Sequence, residues 1–497
     1  MTKPIMIQGT MSGAGKSLIC TGLCRMFRQD GYEVSPFKSQ NMSLNSFITR
    51  EGLEMGRAQV VQAEAACVEP SVTMNPVLLK PTNDVGSQVI VMGEVVGNMS
   101  AAEYFRYKRS NLRSVVMDAY NRLAEKNDVV VIEGAGSPAE INLKSEDIVN
   151  MGMAEMANSP VILVGDIDRG GVFASLYGTI ALLEDDERRR IRGIVINKFR
   201  GDKELLRSGV EMLEDLVNVP ILGVVPFLKV DIDDEDSIAE KLERRLSDRA
   251  LDVAVIRLPR ISNFTDFNAL ARCEYVGLRY VDSPEDLKTP DLMVLPGTKN
   301  TMGDLKWLRA SGMEASLKKR VDCGTPLIGI CGGYQMLGFD ICDPDEVEEG
   351  GRIQGLKLLP VDTVFQESKV RTRTSGRTTD VNGFFSCLSQ VDFSGYEIHM
   401  GVTTQREKVQ NFAILDGERS DGAVYDNVFG SYVHGLFDGE LGTRLVQSLL
   451  DRKGIGWSAD DFKEAGFKNS QYDILANELR RSLDIGRIYE ILEAGVV

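Results

Sequence analysis

The stretch Gly9-Thr10-Met11-Ser12-Gly13-Ala14-Gly15-Lys16-Ser17 constrains the fold more than any other part of this chain. It follows the short apolar run Pro4-Ile5-Met6-Ile7 and precedes apolar residues at helical spacing, Ile19, Leu23, Met26 and Phe27. The local order is therefore strand, glycine loop, helix. Such a loop turns backbone N–H groups towards phosphate oxygens at a helix N-terminus. Lys16 then reaches the β- and γ-phosphates, and the Ser17 hydroxyl is placed to ligate Mg²⁺. Gly13, Gly15, Lys16 and Ser17 are the expected core of an ATP-type site. The loop is a variant, because five residues separate Gly9 from Gly15 and Thr10 stands at the first-glycine position.

A phosphate loop of this kind belongs to an alternating α/β chain, and the following residues continue that alternation. Tyr32 to Lys38 reads as a strand that delivers Lys38 to the phosphate loop as a second cation, the alternative being a solvated surface lysine. The run Lys38-Ser39-Gln40-Asn41-Met42-Ser43-Leu44-Asn45-Ser46 is dense in amides and hydroxyls suited to a polar ligand. Asp128 to Gly136 is a β-branched run ending in a carboxylate and a glycine turn, where α/β folds place ligand contacts. Glu133 is thus a candidate Mg²⁺ ligand, or else a cap for the next segment. Strands at Ser159–Asp168, at Ile191–Lys198 with Asn197 able to contact a nucleobase edge, and at Pro220–Pro226 complete a doubly wound, mostly parallel sheet.

The acidic run Asp231–Asp236 and the charged residues through Arg249 mark a change of unit, with a boundary expected near residue 245. A second α/β series starts at Leu251 and centres on Ile328-Gly329-Ile330-Cys331-Gly332-Gly333-Tyr334-Gln335. Its sharp turn between strand and helix presents Cys331 as a nucleophile. The N–H of Gly332, with one from Gly297 or Thr298, would form an oxyanion hole. The chain has two histidines, His399 and His434. His434 ends an apolar strand downstream of Cys331 and is the expected base; a packed core role is the alternative for either.

Eight scattered cysteines without a CxxC pair point to thiols in a reducing cytoplasm. A net charge of −16 argues against nucleic acid and anionic membrane surfaces as partners. The absence of a long apolar run argues against a spanning helix, and the N-terminus leads straight into a strand rather than a secretory leader.

The Cys331 turn together with Tyr432-Val433-His434-Gly435 resembles a class I glutamine amidotransferase domain, and the N-terminal half resembles the ATP-binding domain of the dethiobiotin synthetase type. Longer motifs narrow the match: Pro36 to Ser46, Asn75 to Pro81, Glu133 to Asn142, Asn197 to Asp202 and Tyr396 to Gly401 are similar to the cobyric acid synthase family of the cobalamin pathway. The resemblance implies a synthetase domain over 1–245, an amidotransferase domain over 246–440 and a helical segment over 441–497. It further implies glutamine and a corrinoid as substrates, ATP and Mg²⁺ as cofactors, and amidation of the b, d, e and g carboxylates of adenosylcobyrinic acid a,c-diamide. Rival readings are a cobyrinic acid a,c-diamide synthase and a P-loop nucleotide switch, and homo-oligomerisation is left open. Most class I amidotransferases carry a glutamate two residues after the histidine, where this chain has Leu436. Asp438, Glu397 or a backbone carbonyl remain as orienters of His434. The basic residues Arg371, Arg373 and Arg377 would meet the polyanionic corrinoid or line a solvated loop. The amphipathic helices after Leu441 are expected to cover a face of the C-terminal domain or a subunit contact.

Overall fold

The computed structural model describes residues 2–82, 86–233, 249–458 and 466–496. The expected boundary near residue 245 lies outside them. The N-terminal half is built on a six-stranded sheet in the order Ile221–Pro226, Ile191–Phe199, Val161–Asp166, Lys3–Gly9, Val129–Glu133, Val34–Phe37, with every neighbouring pair parallel. Its strands are apolar on both faces because both faces are covered. Ile5, Ile7, Val129 and Val131 enter one core with Leu23 and Phe27 of the helix Lys16–Gln29. The alternate residues Met6, Val130 and Ile132 enter the opposite core with Phe37, Leu163 and Ile196.

The first of these cores also takes in the end of the chain. The helices Phe467–Ser482 and Ile485–Ala494 place Tyr472, Leu475, Leu479, Ile488 and Leu492 against the N-terminal sheet layer. A Cβ on Gly22 would lie 2.3 Å from Leu479 Cδ1, so a glycine there lets the two helices cross closely. This corrects the expectation that these helices cover the C-terminal domain: their periodicity fixes which face is buried, not what buries it. The preceding helix Glu440–Arg452 does join the C-terminal core, through Leu441, Leu445 and Leu449.

The C-terminal half has a second sheet in the order Val276–Val281, Leu251–Ile256, Leu292–Leu295, Leu327–Ile330, Val428–Ser431, all parallel, and then Ala423–Tyr425 antiparallel. A long antiparallel hairpin, Val361–Thr378 with Asp392–Gln405, projects from it and was not foreseen. The hairpin reaches the N-terminal half. Arg371 donates to Gly93 O and pairs with Glu94, while Arg373 Nε donates to Ile48 O at 3.0 Å and its guanidinium lies 4.9 Å over the Phe47 ring. These two arginines therefore tie the halves together, whereas Arg377 is exposed beside Asp392. The amide-rich run around Gln40–Met42 pairs with Val77–Pro81, and Ser46–Ile48 pairs with Glu54–Gly56, which fixes that run between the halves. Among the described residues no helix is long and apolar enough to cross a membrane.

Candidate active sites

The phosphate loop sits at the carboxyl end of the central strand Lys3–Gly9, flanked by the ends of Val129–Glu133 and Val161–Asp166. Gly15 has φ 95°, in the left-handed region, and a Cβ there would lie 2.0 Å from Asn197 Nδ2, so only glycine fits. Asn197, expected at a nucleobase edge, donates its Nδ2 to Ala14 O at 2.9 Å and so braces the loop; Lys198 pairs with Asp166 at 2.9 Å. Lys16 Nζ donates to Met11 O and Gly136 O, both at 3.0 Å, and so lies along the loop with Gly13 on its rim.

Glu133 gathers this end of the sheet. Its Oε1 accepts from Ser17 Oγ at 2.8 Å and from Lys38 Nζ at 2.9 Å, and its Oε2 accepts from Gln59 at 3.4 Å and from Gln62. At 1 % exposure the carboxylate is held by donors from three other elements. Lys38 is accordingly a buried neighbour of the phosphate loop and not a solvated surface lysine. The Ser17 hydroxyl and a carboxylate are hard oxygen donors of the kind Mg²⁺ takes, one or two from protein with phosphates and water supplying the rest. The residues present fit that ion, with Lys38 as the cation now on the same oxygen.

In the second half, Cys331 stands between the strand Leu327–Ile330 and the helix Gly332–Leu337 with φ 51° and ψ −109°. A non-glycine residue held there stores strain of about 1–3 kcal/mol, which neighbouring contacts must sustain. Cys331 N donates to Ser431 O at 2.8 Å, and Sγ lies 3.6 Å from Ile398 O. His434 is 1 % exposed, with its backbone paired in both directions to Tyr396 and its ring stacked on Tyr396 at 5.2 Å. Its Nδ1 lies 2.6 Å from Asp266 Oδ2, while Gly435 N donates to Asp266 Oδ1 at 3.1 Å. Burial by itself would lower the His434 pKa, but the charge and hydrogen bond of Asp266, and then Cys331, hold it well above the ordinary value. A histidine so raised is a strong proton acceptor for the thiol beside it.

Asp266 was missed. It lies in the turn Phe264–Phe267 after the first strand of the second sheet, 4 % exposed, far upstream of Cys331. The available signal was a polar cluster, Ser262-Asn263-Phe264-Thr265-Asp266, at a strand's carboxyl end. Glu397 is instead paired with Arg419 and faces His399 at 3.5 Å, and Asp438 is a carboxyl pushed up to about 6 by burial. His399 stacks on Tyr432 at 3.8 Å and its Nδ1 lies 2.8 Å from Gly401 O, a packed histidine. Of the two expected oxyanion glycines, Gly297 sits on the loop after Leu292–Leu295 and Gly332 opens the helix after Cys331: a Cβ on Gly297 would lie 3.0 Å from His434 Cε1, and one on Gly332 3.2 Å from Thr298 N.

The two sites are joined by buried polar contacts. Asn263 Nδ2 donates to Tyr396 OH at 2.6 Å and to Ser46 O at 3.1 Å, and Thr265 Oγ1 donates to Asn45 Oδ1 at 3.3 Å. Thus the run that begins at Lys38 on Glu133 ends next to the neighbours of Asp266 and His434. Nearby, Glu54 is fully buried between Lys80 of the N-terminal half at 2.8 Å and Lys369 of the hairpin at 2.6 Å.

Comparison with known proteins matches successive parts of the chain to two family models. Residues 5–238 match the CobQ/CobB/MinD/ParA nucleotide binding domain, and residues 252–441 match the CobB/CobQ-like glutamine amidotransferase domain. The whole chain is 54 % identical to the cobyric acid synthase of Ruminiclostridium cellulolyticum, covering 98 % of that protein. It is 55 % identical to the cobyric acid synthase of Lachnoclostridium phytofermentans, with both proteins covered completely (100 %). With the corresponding protein of Salmonella typhimurium it shares 51 % identity over 99 % of each chain.

Proposed function

Because the chain belongs to the cobyric acid synthase family and is a glutamine-dependent amidoligase, we propose that it amidates the b, d, e and g carboxylates of adenosylcobyrinic acid a,c-diamide to give adenosylcobyric acid. The observation that carries this reading is the pairing, within one chain, of the Lys16–Ser17–Glu133–Lys38 cluster with the Cys331–His434–Asp266 arrangement.

A carboxylate is a poor acyl acceptor until its oxygen is converted into a leaving group. In the N-terminal half the γ-phosphoryl group of ATP passes to a corrinoid carboxylate, giving an acyl phosphate and ADP. Lys16 and Lys38 neutralise the charge that spreads over the transferring group. Mg²⁺, held by Ser17 and Glu133, would supply further neutralisation of the phosphates. In the C-terminal half His434 takes the Cys331 proton and the thiolate attacks the amide carbon of glutamine. The oxyanion is met by N–H groups at Gly332 and Gly297, and His434 returns the proton to departing ammonia. Water then hydrolyses the thioester to glutamate. Ammonia attacks the acyl phosphate and expels phosphate, leaving an amide. Asp266 keeps His434 in the tautomer and orientation that both proton transfers require.

Mass spectrometry of the corrinoid made from the a,c-diamide, ATP and glutamine tests the assignment. Four added amides are expected. An unchanged a,c-diamide, with cobyrinic acid supplied in its place converted to the a,c-diamide, would replace this reading with that of the diamide synthase.

A further inference from the structure

Asp266 reaches His434 from the turn Phe264–Phe267, and that turn is held on both flanks by residues that precede the second sheet. On one flank Asn263 Nδ2 donates to Ser46 O at 3.1 Å and Thr265 Oγ1 donates to Asn45 Oδ1 at 3.3 Å. On the other, Asn268 Nδ2 donates at 2.8 Å to Oδ1 of Asp233, a residue that follows the strand Ile221–Pro226. Arg57 joins the two holds. Its backbone N donates to Asn45 O at 3.1 Å, its Nη2 pairs with Asp233 Oδ2 at 2.6 Å, and its guanidinium lies 5.4 Å over the Phe47 ring.

Arg57 opens the helix Arg57–Ala65, whose Gln59 and Gln62 hold Glu133 Oε2, so an element of the ATP-binding half carries it. It is 9 % exposed and lines a cavity together with Thr265, Asp266, Asn268 and Tyr396, whose ring stacks on His434. Asp233 is gripped from the other half as well, its Oδ1 accepting from Arg272 Nη2 at 3.1 Å. Burial by itself would raise the Asp233 pKa, but Arg57, then Lys468 and Arg272, hold the carboxyl well below the ordinary range. Such a pair keeps its geometry because parting it would strand two buried ions. Among the described residues Arg57 makes no hydrogen bond or ion pair with Cys331 or His434, so its effect on glutamine hydrolysis passes through the Asp266 turn.

We propose that Arg57, paired with Asp233, is a positioning residue for Asp266 and His434, so that the ATP-binding half completes the geometry on which glutamine hydrolysis depends. A displacement of about 1 Å in a catalytic arrangement costs roughly 100-fold in rate, and the Asp266 turn has no other ionic tie to the first half. The inference rests on the glutaminase reading of Cys331 and adds the residue that keeps the carboxylate behind its base in place.

The test is steady-state ammonia release from glutamine by the full chain carrying Arg57→Met, which keeps an apolar stem and removes the charge. kcat should fall about 10- to 100-fold while KM stays within about twofold, because no contact with substrate is lost. The same substitution made beside Asp266→Ala should cost less than about twofold further, since no carboxylate is left to be placed; a general loosening of the fold would keep its full cost there. Asn268→Ala releases the other flank of the turn without stranding a charge. It should reproduce the fall in kcat at an unaltered thermal midpoint, and it decides the matter if Arg57→Met does not fold. An unchanged kcat in the folded variants, a matching rise in KM, or a full cost retained beside Asp266→Ala would overturn the inference while leaving the glutaminase reading intact. Failure of the wild-type chain to release ammonia from glutamine would overturn both.

Discussion

Replacing Asp266 by Asn keeps the shape of the side chain and removes its charge. The carboxylate oxygen and His434 Nδ1 are 2.6 Å apart and both groups are almost fully buried. Two unit charges roughly 4 Å apart at an effective dielectric of about 20 interact by about 4 kcal/mol. At about 1.36 kcal/mol per tenfold change, that lowers the basicity of His434 by about three powers of ten. An amide can also offer its NH₂ to Nδ1, stabilising the wrong tautomer; the equivalent change in a serine protease triad costs about 10⁴-fold in kcat. Ammonia release from glutamine by Asp266→Asn should therefore fall about 10³- to 10⁴-fold, with amidation from added ammonia retained. The pH dependence of stability carries the same signature. Because the folded pKa of His434 is raised, the pair stabilises fully below the ordinary histidine value of about 6.5 and this contribution is lost as pH rises through the raised folded value. Asp266→Asn should flatten that alkaline loss. A decrease of less than tenfold in glutamine hydrolysis would refute the triad reasoning, because it would mean that His434 works equally well without a buried anion behind it.

Lys16→Ala should abolish ATP-dependent amidation with either glutamine or ammonia while glutamine hydrolysis continues, since Lys16 lies in the other half of the chain; unchanged amidation would dismiss the phosphate site. Glu54→Gln should destabilise the folded chain at neutral pH by about 3–5 kcal/mol, because it strands Lys80 and Lys369 as buried charges. Burial alone would raise the Glu54 pKa, but Lys369 and Lys80 hold it well below the carboxylate range. Its contribution is therefore present above the ordinary carboxylate value and lost as pH falls through the depressed one. Burial lowers the Lys369 ammonium pKa to about 7 against the pull of Glu54, so thermal unfolding should show a gap between variant and wild type that persists or widens from pH 7 to pH 5 and narrows only in stronger acid. A gap that closes between pH 7 and pH 5 would contradict this.

What could be read from the sequence was whatever its chemistry writes locally. The phosphate loop, the Cys331 turn and the Val129–Glu133 strand each place their functional side chain within a few residues of the turn that exposes it. Placing Lys38 against Glu133 needed only the rule that parallel strands end on the same edge. Asp266 escaped because it is 168 residues from His434, and no spacing rule connects a turn in the first strand–helix unit with a histidine after the last parallel strand. The long hairpin escaped because its strands alternate too irregularly to separate a projecting ribbon from a loop. The final helices showed their apolar stripe, but their partner is a sheet formed by the first part of the chain, and amphipathicity carries no address.

The most direct measurement concerns the division of labour between the halves. Cys331→Ser should make no amide from glutamine, because a serine hydroxyl lacks the thiolate nucleophilicity that this turn, His434 and Asp266 are arranged to exploit. Supplied with ammonium salt at a pH that leaves free ammonia, ATP and the a,c-diamide, the same variant should still install four amides. If the folded variant, under those conditions, gives no ATP-dependent amide, then Cys331 and its surroundings act in corrinoid activation itself, and the separation of ammonia supply from carboxylate activation is wrong.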